Sequence, residues 1–304
     1  MELNQLKYMI SGTILENESM SKHTSFGIGG PALAFIEPKS VNDLQLIKLY
    51  AKEHQIDIYC IGSGSNLLVS DNGVDGFVIS LEKSFKNVSF NKNKCSAEAG
   101  VKLSKLVKDC INQNLQGLET LIGIPGTLGG ALIMNAGAFG NEISNYLTAI
   151  ELLDKNGTIE RKSADEIEFC YRSSSINKDD IILSAEFELS KSAKSQIIIN
   201  RDKANLTRKS TQPLKFRSAG SVFKNPSNAA AGFLIDQAGL KGKSFGGVIV
   251  SDIHANFIIN HAEAKAEDVV QLIKFIRNAI YKKYSVLLDL EITTLGFPEG
   301  IFNA

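Results

Sequence analysis

Two glycine-rich segments contain the residues best suited to bind a phosphate-bearing ligand. Residues 60–80 read CIGSGSNLLVSDNGVDGFVIS, and residues 117–140 read GLETLIGIPGTLGGALIMNAGAFG. Glycine lets main-chain N–H groups come within hydrogen-bonding distance of a ligand, and successive N–H groups can form nests for anions. One such segment is equally consistent with tight turns between strands. Two of them in one chain favour a large ligand such as a dinucleotide.

The familiar phosphate-binding motifs do not fit these glycines. A Rossmann reading of Gly62-x-Gly64 fails because Leu67 stands where glycine or alanine is needed. The spacing Gly27-x-Gly29-x-x-Ala32 matches, but Pro31 and the apolar run after it predict an extended segment. The sequence GLKGKS imitates a Walker A loop without its first glycine. Neither a Rossmann protein nor a P-loop ATPase is indicated.

Composition excludes several classes of partner. The chain has 304 residues, 43% of them hydrophobic, with 33 basic and 33 acidic residues and a net charge of zero. It is long enough for a substantial core and for two or three domains. A neutral chain creates no long-range field that attracts polyanions, so we expect no nucleic-acid partner.

Cysteine and histidine spacing gives no sign of a metal site or a disulfide framework. The four cysteines contain no Cys-x-x-Cys pair, and the four histidines show no His-Glu-x-x-His spacing. We therefore expect no metal, and cysteines that are reduced and mostly buried. The amino-terminal residues lack the pattern of a signal peptide, and no apolar run approaches about 20 residues. These features predict a cytoplasmic protein without membrane insertion.

Helices and strands alternate along the chain and must position the glycine loops. Apolar spacing predicts helices over 41–55, 103–117 and about 263–284, the second of them stopping near Gly117. Strand patterns occur at 56–62, 147–154, 180–190 and 285–292. The fold class predicted is α+β, with domains in close contact.

Seven motifs in one order resemble the UDP-N-acetylenolpyruvoylglucosamine reductase family, the MurB flavoenzymes of peptidoglycan synthesis. They are HTSFGIGG, GSGSNLLVSDNGVDG, GIPGTLGGALIMNAGAFG, YRSS, SAGSVFKNP, AGFLIDQAGLKG and LEI. The resemblance covers nearly the whole chain. It implies a two-part FAD-binding domain of the vanillyl-alcohol oxidase type and a C-terminal α/β substrate-binding domain. One position departs from the family pattern, since Gly27 stands where related proteins often carry Lys or Arg.

The resemblance also implies which residues contact FAD. No histidine stands in the Gly-His context typical of covalent flavin attachment, so FAD is expected to bind noncovalently, with NADPH as the hydride donor. The implied cofactor-binding residues are Thr24, Gly29, Gly62, Ser63, Gly64, Ser65, Asn66, Gly123, Pro125, Gly126, Gly130, Asn135 and Gly137.

Three further residues match the family's catalytic positions. Reduction of an enolpyruvyl ether places hydride on its terminal carbon and leaves an enolate-like carboxylate that must be stabilised and protonated. Arg172 matches the arginine that holds this negative charge. Ser221 matches the proton donor, and Glu291 matches the glutamate that assists it. Seen alone, these would be an ion-paired arginine, a turn serine and a solvated glutamate.

The remaining implications concern the substrate, UDP-N-acetylglucosamine enolpyruvate, and the domain boundaries. Asn225, Lys209 and Lys224 are the implied substrate-binding residues, although both lysines could be solvated surface charges. The predicted domains are an FAD-binding domain over 1–210, with subdomains of about 1–82 and 83–210, and a substrate-binding domain over 211–304. The 49 residues between Arg172 and Ser221 resemble the family's type II branch.

Two other functions stay open at this point. A catalytically silent flavin or nucleotide-sugar binding protein could keep the same fold, but retention of Arg172, Ser221 and Glu291 together favours an enzyme. A flavin oxidase that uses oxygen is the alternative enzyme, and the motif SAGSVFKNP argues against it.

Overall fold

The computed structural model describes residues 3–303. The chain divides into two compact units, each assembled from separate stretches of sequence. Unit 1 comprises residues 1–16, 34–63 and 76–208, and unit 2 comprises residues 17–33, 64–75 and 209–304. Both units contain helices and strands, as the α+β prediction requires.

The described residues form the following regular elements. The α-helices are α1 Asn4–Met9, α2 Val41–Glu53, α3 Leu103–Asn112, α4 Leu128–Ile133, α5 Lys194–Thr211, α6 Ala231–Gln237 and α7 Ala266–Tyr284. The strands of three or more residues are β1 Thr13–Ser19, β2 Pro31–Glu37, β3 Asp57–Ile61, β4 Leu67–Val69, β5 Val74–Ser80, β6 Val88–Asn91, β7 Lys94–Glu98, β8 Leu147–Leu153, β9 Ile159–Ser163, β10 Ile181–Glu188, β11 Val248–Val250, β12 Ile258–Asn260 and β13 Thr293–Leu295. Two-residue strands occur at Leu115–Gln116, Gly137–Ala138, Asn141–Glu142, Phe169–Cys170, Ser173–Ser174, Ser190–Lys191 and Ser244–Phe245. Short 3-10 turns occur at Met20–Lys22, Glu119–Leu121, Ile143–Tyr146 and Ala164–Glu166.

Unit 1 is built on two sheets. Five antiparallel strands have the order β9-β8-β10-β7-β6, and alternating residues of β10 are buried. The other sheet has the order β1-β2-β5-β3, with β3 and β5 parallel, and most of its residues lie in this unit. Helix α2 begins where the Ser40 hydroxyl accepts a hydrogen bond from the Asp43 N–H.

Unit 2 packs around one long helix. Helix α7 buries Val269, Ile273, Ile276 and Ile280 at helical spacing. Its first turn is capped by Asp71, whose carboxylate accepts hydrogen bonds from the N–H groups of residues 266 and 267 at 2.9 and 3.1 Å. The core of this unit also receives residues from the 26–28 turn and from β4, β11 and β12. The turn and β4 are thereby fixed on the C-terminal part of the chain.

Some sequence predictions are confirmed and others are wrong. The helices over 41–55 and 263–284 and the strands over 56–62, 147–154 and 180–190 are present within one to three residues. Helix α3 ends at Asn112 rather than near Gly117, because Asn114 takes a left-handed conformation with φ 58°. The final strand predicted over 285–292 is instead an irregular segment, in which only Leu290 forms a β-bridge. Helix α5 was not predicted, since it buries only Ile197 and Ala204 and shows little apolar periodicity.

The cysteine prediction is half correct. Cys95 and Cys110 are buried, whereas Cys60 and Cys170 are exposed. Cys60 lies on β3, none of whose five residues is buried, and Cys170 lies in a short hairpin. Among residues 3–303, no helix is both long and apolar enough to cross a membrane, and no cluster of potential metal ligands occurs.

Candidate active site

The glycine-rich segment of unit 1, which we define as residues 117–140, contains a close-packed turn that leads into α4 and contacts Gly62 of the other glycine-rich segment. Gly62 lies so near Thr127 that a Cβ on it would come within 2.5 Å of the threonine hydroxyl. Thr127 in turn caps α4 by accepting a hydrogen bond from the Gly130 N–H. Gly130 is different, because the nearest atom to a Cβ placed there would be 3.7 Å away. Gly62 is therefore required by internal packing, whereas Gly130 leaves room for a Cβ.

Two more glycines of this segment have backbone conformations that favour glycine. Gly123 has φ 79°, and a Cβ there would meet the side chain of Arg208 at 2.9 Å. Gly126 has φ 122°, and its carbonyl accepts a hydrogen bond from the Leu103 N–H at 3.0 Å. Pro125, between them, is exposed and has a trans peptide bond. This turn can present its main chain to a ligand without side chains in the way.

Asn135 holds the arginine hairpin of unit 1, which we define as residues 168–175. The Asn135 side chain is fully buried and donates hydrogen bonds to the Glu142 carboxylate at 2.7 Å and to the Cys170 carbonyl at 3.2 Å. Its Oδ1 atom is buried without a hydrogen-bond partner among residues 3–303. Ser174 adds a second link, donating to the Ile133 carbonyl at 3.0 Å. The hairpin is thus fastened to the glycine-rich segment at two points.

Arg172 lies at the tip of this hairpin with a strained backbone. Its φ of 57° is in the left-handed region, which non-glycine residues seldom adopt. The guanidinium donates to the Gly137 carbonyl at 3.2 Å and lies over the ring of Tyr171, 4.9 Å from its centroid. Three residues of the predicted site, Asn135, Gly137 and Arg172, are therefore brought together.

Arg208 is a second cation near Arg172 that sequence reasoning missed. Burial lowers the pKa of Arg208 below its ordinary value, and the positive charge of Arg172 lowers that pKa further. A packing contact with Gly123 places Arg208 beside the glycine-rich turn as well. The only signal in the sequence was a basic residue near the end of α5, a helix that had not been predicted.

The predicted cofactor residues of unit 2 lie on two tight turns, around Thr24 and around Gly64, that pack against each other. Thr24 is buried, and its hydroxyl both accepts from the Ile28 N–H and donates to the Ile28 carbonyl. Gly64 has φ 62°, and a Cβ on it would lie 2.0 Å from the His23 carbonyl oxygen. Gly29 has φ 141° and packs between Met20 and Val69. Ser65 and Asn66 follow directly and are half-buried.

Ser221 and Glu291 lie on adjacent segments of unit 2. The Glu291 N–H donates to the carbonyl of Val222, the residue after Ser221, at 2.8 Å. A β-bridge between Phe223 and Leu290 continues this antiparallel pairing, and Ser221 bridges to Phe257 on its other side. Two candidate catalytic residues that are 70 positions apart in sequence are therefore neighbours. Arg172 belongs to unit 1, separately from this pair.

The predicted substrate-binding residues also lie in unit 2. The exposed Asn225 uses its Oδ1 atom to accept a hydrogen bond from the Ala231 N–H at 3.0 Å, at the start of α6. The Lys224 N–H donates to the Asp289 carbonyl at 2.8 Å, two residues along from the pairing of Val222 with Glu291. Lys209 is an exposed residue of α5. Asn225 and Lys224 are thus close to the catalytic pair in sequence and pairing.

Comparison with known proteins identifies the class and then the family. Residues 32–163 match the model of an FAD-binding domain, and residues 212–295 match the C-terminal domain of UDP-N-acetylenolpyruvoylglucosamine reductase. The reductase of Clostridioides difficile is 41% identical over 295 residues, covering 97% of each chain. That of Alkaliphilus oremlandii is 43% identical over 287 residues, covering 93% of each chain. The crystal structure of the Thermus caldophilus enzyme, MurB, is 31% identical, with a TM-score of 0.80 over 94% of this chain and 99% of that one.

These matches define a flavin-dependent oxidoreductase with a separate C-terminal domain. The chain belongs to the UDP-N-acetylenolpyruvoylglucosamine reductase family. The predictions of the family, of FAD as cofactor and of an oxidoreductase in peptidoglycan synthesis are confirmed. The glycine-rich segment of unit 1 fits FAD, because Gly130 has room for an added group and because, among residues 3–303, the buried Asn135 oxygen has no hydrogen-bond partner.

Proposed function

We propose that this chain reduces UDP-N-acetylglucosamine enolpyruvate to UDP-N-acetylmuramate in the cytoplasm, with noncovalent FAD and with NADPH as the hydride donor. FAD, when bound, would pass hydride from the nicotinamide to the terminal carbon of the enolpyruvyl group. The glycine-rich segment of unit 1 and the turns around Thr24 and Gly64 in unit 2 would hold the cofactor through main-chain contacts.

Ser221 would donate the proton that completes the reaction. A serine hydroxyl is a weak acid, so it needs a neighbour that stabilises the change in charge. The Glu291 N–H donates to the Val222 carbonyl at 2.8 Å, so the main chain of Glu291 runs beside the Ser221 segment, and this is the observation that supports the proposal. Ser221 would pass its hydroxyl proton to the substrate carbon, and Glu291 in its protonated form would return a proton to the serine oxygen.

Arg172 would stabilise negative charge that develops on the substrate. Its guanidinium is permanently charged and rigid, and it is held by a hydrogen bond to the Gly137 carbonyl at 3.2 Å. A residue kept in a strained left-handed conformation is often one whose side-chain direction matters for function. Asn225, Lys209 and Lys224 would bind the nucleotide part of the substrate. The proposed domains are a substrate-binding domain of residues 211–304, which contains Asn225 and Lys224, and an FAD-binding domain of residues 1–210, which contains Lys209 at its end.

The test separates flavin reduction from substrate reduction in Ser221→Ala. The variant should retain FAD and accept hydride from NADPH at the parent rate, because Ser221 acts after this step. Reoxidation by the enolpyruvyl substrate, followed by rapid-mixing absorbance of the flavin, should slow by about a hundredfold or more. Ser227→Ala removes an exposed serine from the same region and serves as control. Reoxidation of Ser221→Ala at the parent rate would exclude Ser221 as the proton donor.

A further inference from the structure

The guanidinium of Arg217 occupies the place that a side chain at position 27 would take. Gly27 has φ 69°, and a Cβ built on it would lie 2.4 Å from Arg217 Nη1, 3.0 Å from Cδ and 3.2 Å from Cζ. Even an alanine at position 27 would therefore have to displace Arg217. Gly27 and Arg217 form a matched pair, in which the absence of one side chain makes room for the other.

Three hydrogen bonds within unit 2 hold this pair in register. The Asn260 N–H donates to the Arg217 carbonyl at 2.9 Å, while its side-chain amide donates to the Phe26 carbonyl at 3.0 Å. The Ser25 hydroxyl donates to the Ser218 carbonyl at 2.6 Å. The turn that contains Gly27 and the segment that contains Arg217 are therefore fixed against each other. This pairing holds the Arg217 guanidinium over Gly27.

The Arg217 guanidinium lines an open cavity of about 460 Å³. The cavity is lined by Gly27, Arg217, Asn260, His261, Ala262, Glu263 and Ala264. Within residues 3–303, the Arg217 side chain makes no hydrogen bond and no ion pair, including none with Glu263 on the same wall of the cavity. A permanently charged fork with five N–H donors is suited to bind a phosphate.

We infer that Arg217 is a phosphate-binding residue, and that its cavity receives a phosphate group of one of the nucleotides the enzyme handles. Arg217 lies four residues before Ser221, so their Cα atoms are at most about 14 Å apart. The cavity is thus within reach of a nucleotide bound at the candidate catalytic pair. Arg217 would supply the cation that the family resemblance places at position 27, from a different segment of the chain.

This inference rests on the proposed function for the identity of the nucleotides, which are FAD, the UDP-sugar and NADPH. Three titrations distinguish them. Apoprotein is titrated with FAD, oxidised holoenzyme with UDP, and the rate of flavin reduction is saturated with NADPH and separately with NADH, which lacks the 2′-phosphate. Arg217→Gln should weaken one of these interactions by about tenfold or more, the loss expected for a charge-assisted hydrogen bond. The titration that changes identifies the nucleotide whose phosphate Arg217 binds.

Companion variants separate a phosphate contact from a general effect on charge or folding. Lys215→Gln removes an exposed positive charge two residues away and should leave all three titrations unchanged. Arg217→Lys, which keeps the charge but not the fork, should recover part of the affinity. Glu263→Gln should raise the affinity for the nucleotide that Arg217→Gln weakens, by about twofold or more, because it removes a negative charge from the cavity wall.

Gly27→Ala provides an independent test that leaves Arg217 in the chain. Its methyl group should displace the guanidinium and lower the affinity for the same nucleotide. Combining Gly27→Ala with Arg217→Gln should cause no additional loss of affinity. Parent affinities in all three titrations of Arg217→Gln, or an equal loss in Lys215→Gln, would overturn the inference. Failure of the proposed function would look different, since FAD binding or substrate-dependent reoxidation would then be missing from the parent protein itself.

Discussion

The side-chain amide of Asn66 donates a hydrogen bond to the main-chain carbonyl of Glu291 at 3.0 Å, although the two residues are 225 positions apart. The Asn66 carbonyl in turn accepts from the Thr293 N–H at 2.9 Å, and the parallel pairing of β4 with β13 continues from there. A residue predicted to bind the cofactor is therefore also a support for a residue predicted to act on the substrate.

Asn66→Ala should slow substrate reduction more than flavin reduction. Without the amide, the Glu291 carbonyl loses one of its donors, and we expect reoxidation by substrate to fall by about five- to tenfold. Rapid-mixing absorbance measures both half-reactions. In a Glu291→Gln background, Asn66→Ala should add little, because the two changes act through one residue. Equal, independent losses in the double variant would show that Asn66 does not act through Glu291.

Gly130→Ala should stabilise the apoprotein and weaken its hold on FAD. Alanine raises helix propensity by about 1 kcal/mol, and the nearest atom to the new Cβ is 3.7 Å away, so the protein itself has room. If FAD approaches α4 here, its affinity should fall by about tenfold, which corresponds to about 1.4 kcal/mol.

Thermal unfolding of the apoprotein and a fluorescence titration with FAD measure the two effects of Gly130→Ala separately. Gly64→Ala is the contrasting variant, because its Cβ would clash with the His23 carbonyl and should destabilise the protein even without FAD. Unchanged FAD affinity in Gly130→Ala would place the cofactor elsewhere.

Arg172→Gly should be more stable than Arg172→Ala, although both should fail to reduce the substrate. At φ 57° an alanine pays a penalty of about 1–2 kcal/mol that glycine avoids, and this exceeds the extra entropy of glycine in the unfolded chain. We expect a difference of about 0.5–1 kcal/mol in the free energy of unfolding, measured by denaturant titration.

Arg161, an exposed arginine of strand β9, provides the control for this comparison. Its backbone is in a strand conformation, so Arg161→Ala should be more stable than Arg161→Gly. The same order of stability at positions 161 and 172 would contradict the assignment of strain to the arginine hairpin.

Asp43→Asn should make the free energy of unfolding less dependent on pH in the acid range. Burial by itself would raise the pKa of Asp43, but hydrogen bonds from Lys39, Ser11 and Ser40 lower it below the ordinary value of 3.8. A group with a depressed folded-state pKa contributes stability above its unfolded pKa and loses this contribution as pH falls through the folded value. The parent should therefore lose stability more steeply than Asp43→Asn as the pH falls below about 4.

Denaturant titrations across the acid range measure this slope. Asp75→Asn, which removes an exposed carboxylate outside the Asp43 network, should follow the parent curve. If the free energy of unfolding fell with pH at the same slope in the parent and in Asp43→Asn, the Asp43 hydrogen bonds would not contribute to the pH dependence.

Local pattern was sufficient to predict the helices and strands that bury a continuous apolar face. Helix α2 begins at a capped serine and α7 repeats apolar residues at helical spacing, so both were predicted close to their observed bounds. Helix α5 was missed for the opposite reason, since its sides are mostly polar and its helical conformation is not evident from apolar periodicity. The strand predicted at 285–292 failed because an apolar run can be buried in irregular backbone as well as in a sheet.

The sequence by itself determined the family, the cofactor and the candidate catalytic residues, because the motifs that carry them are continuous stretches with characteristic residue types. Only the tertiary structure decided which residues support one another. Asn66 with Glu291, Asn135 with the arginine hairpin, and Gly27 with Arg217 each join segments distant in sequence. Such pairs depend on which segments pack against each other in the folded core, and neither the periodicity nor the composition of the sequence predicts these contacts.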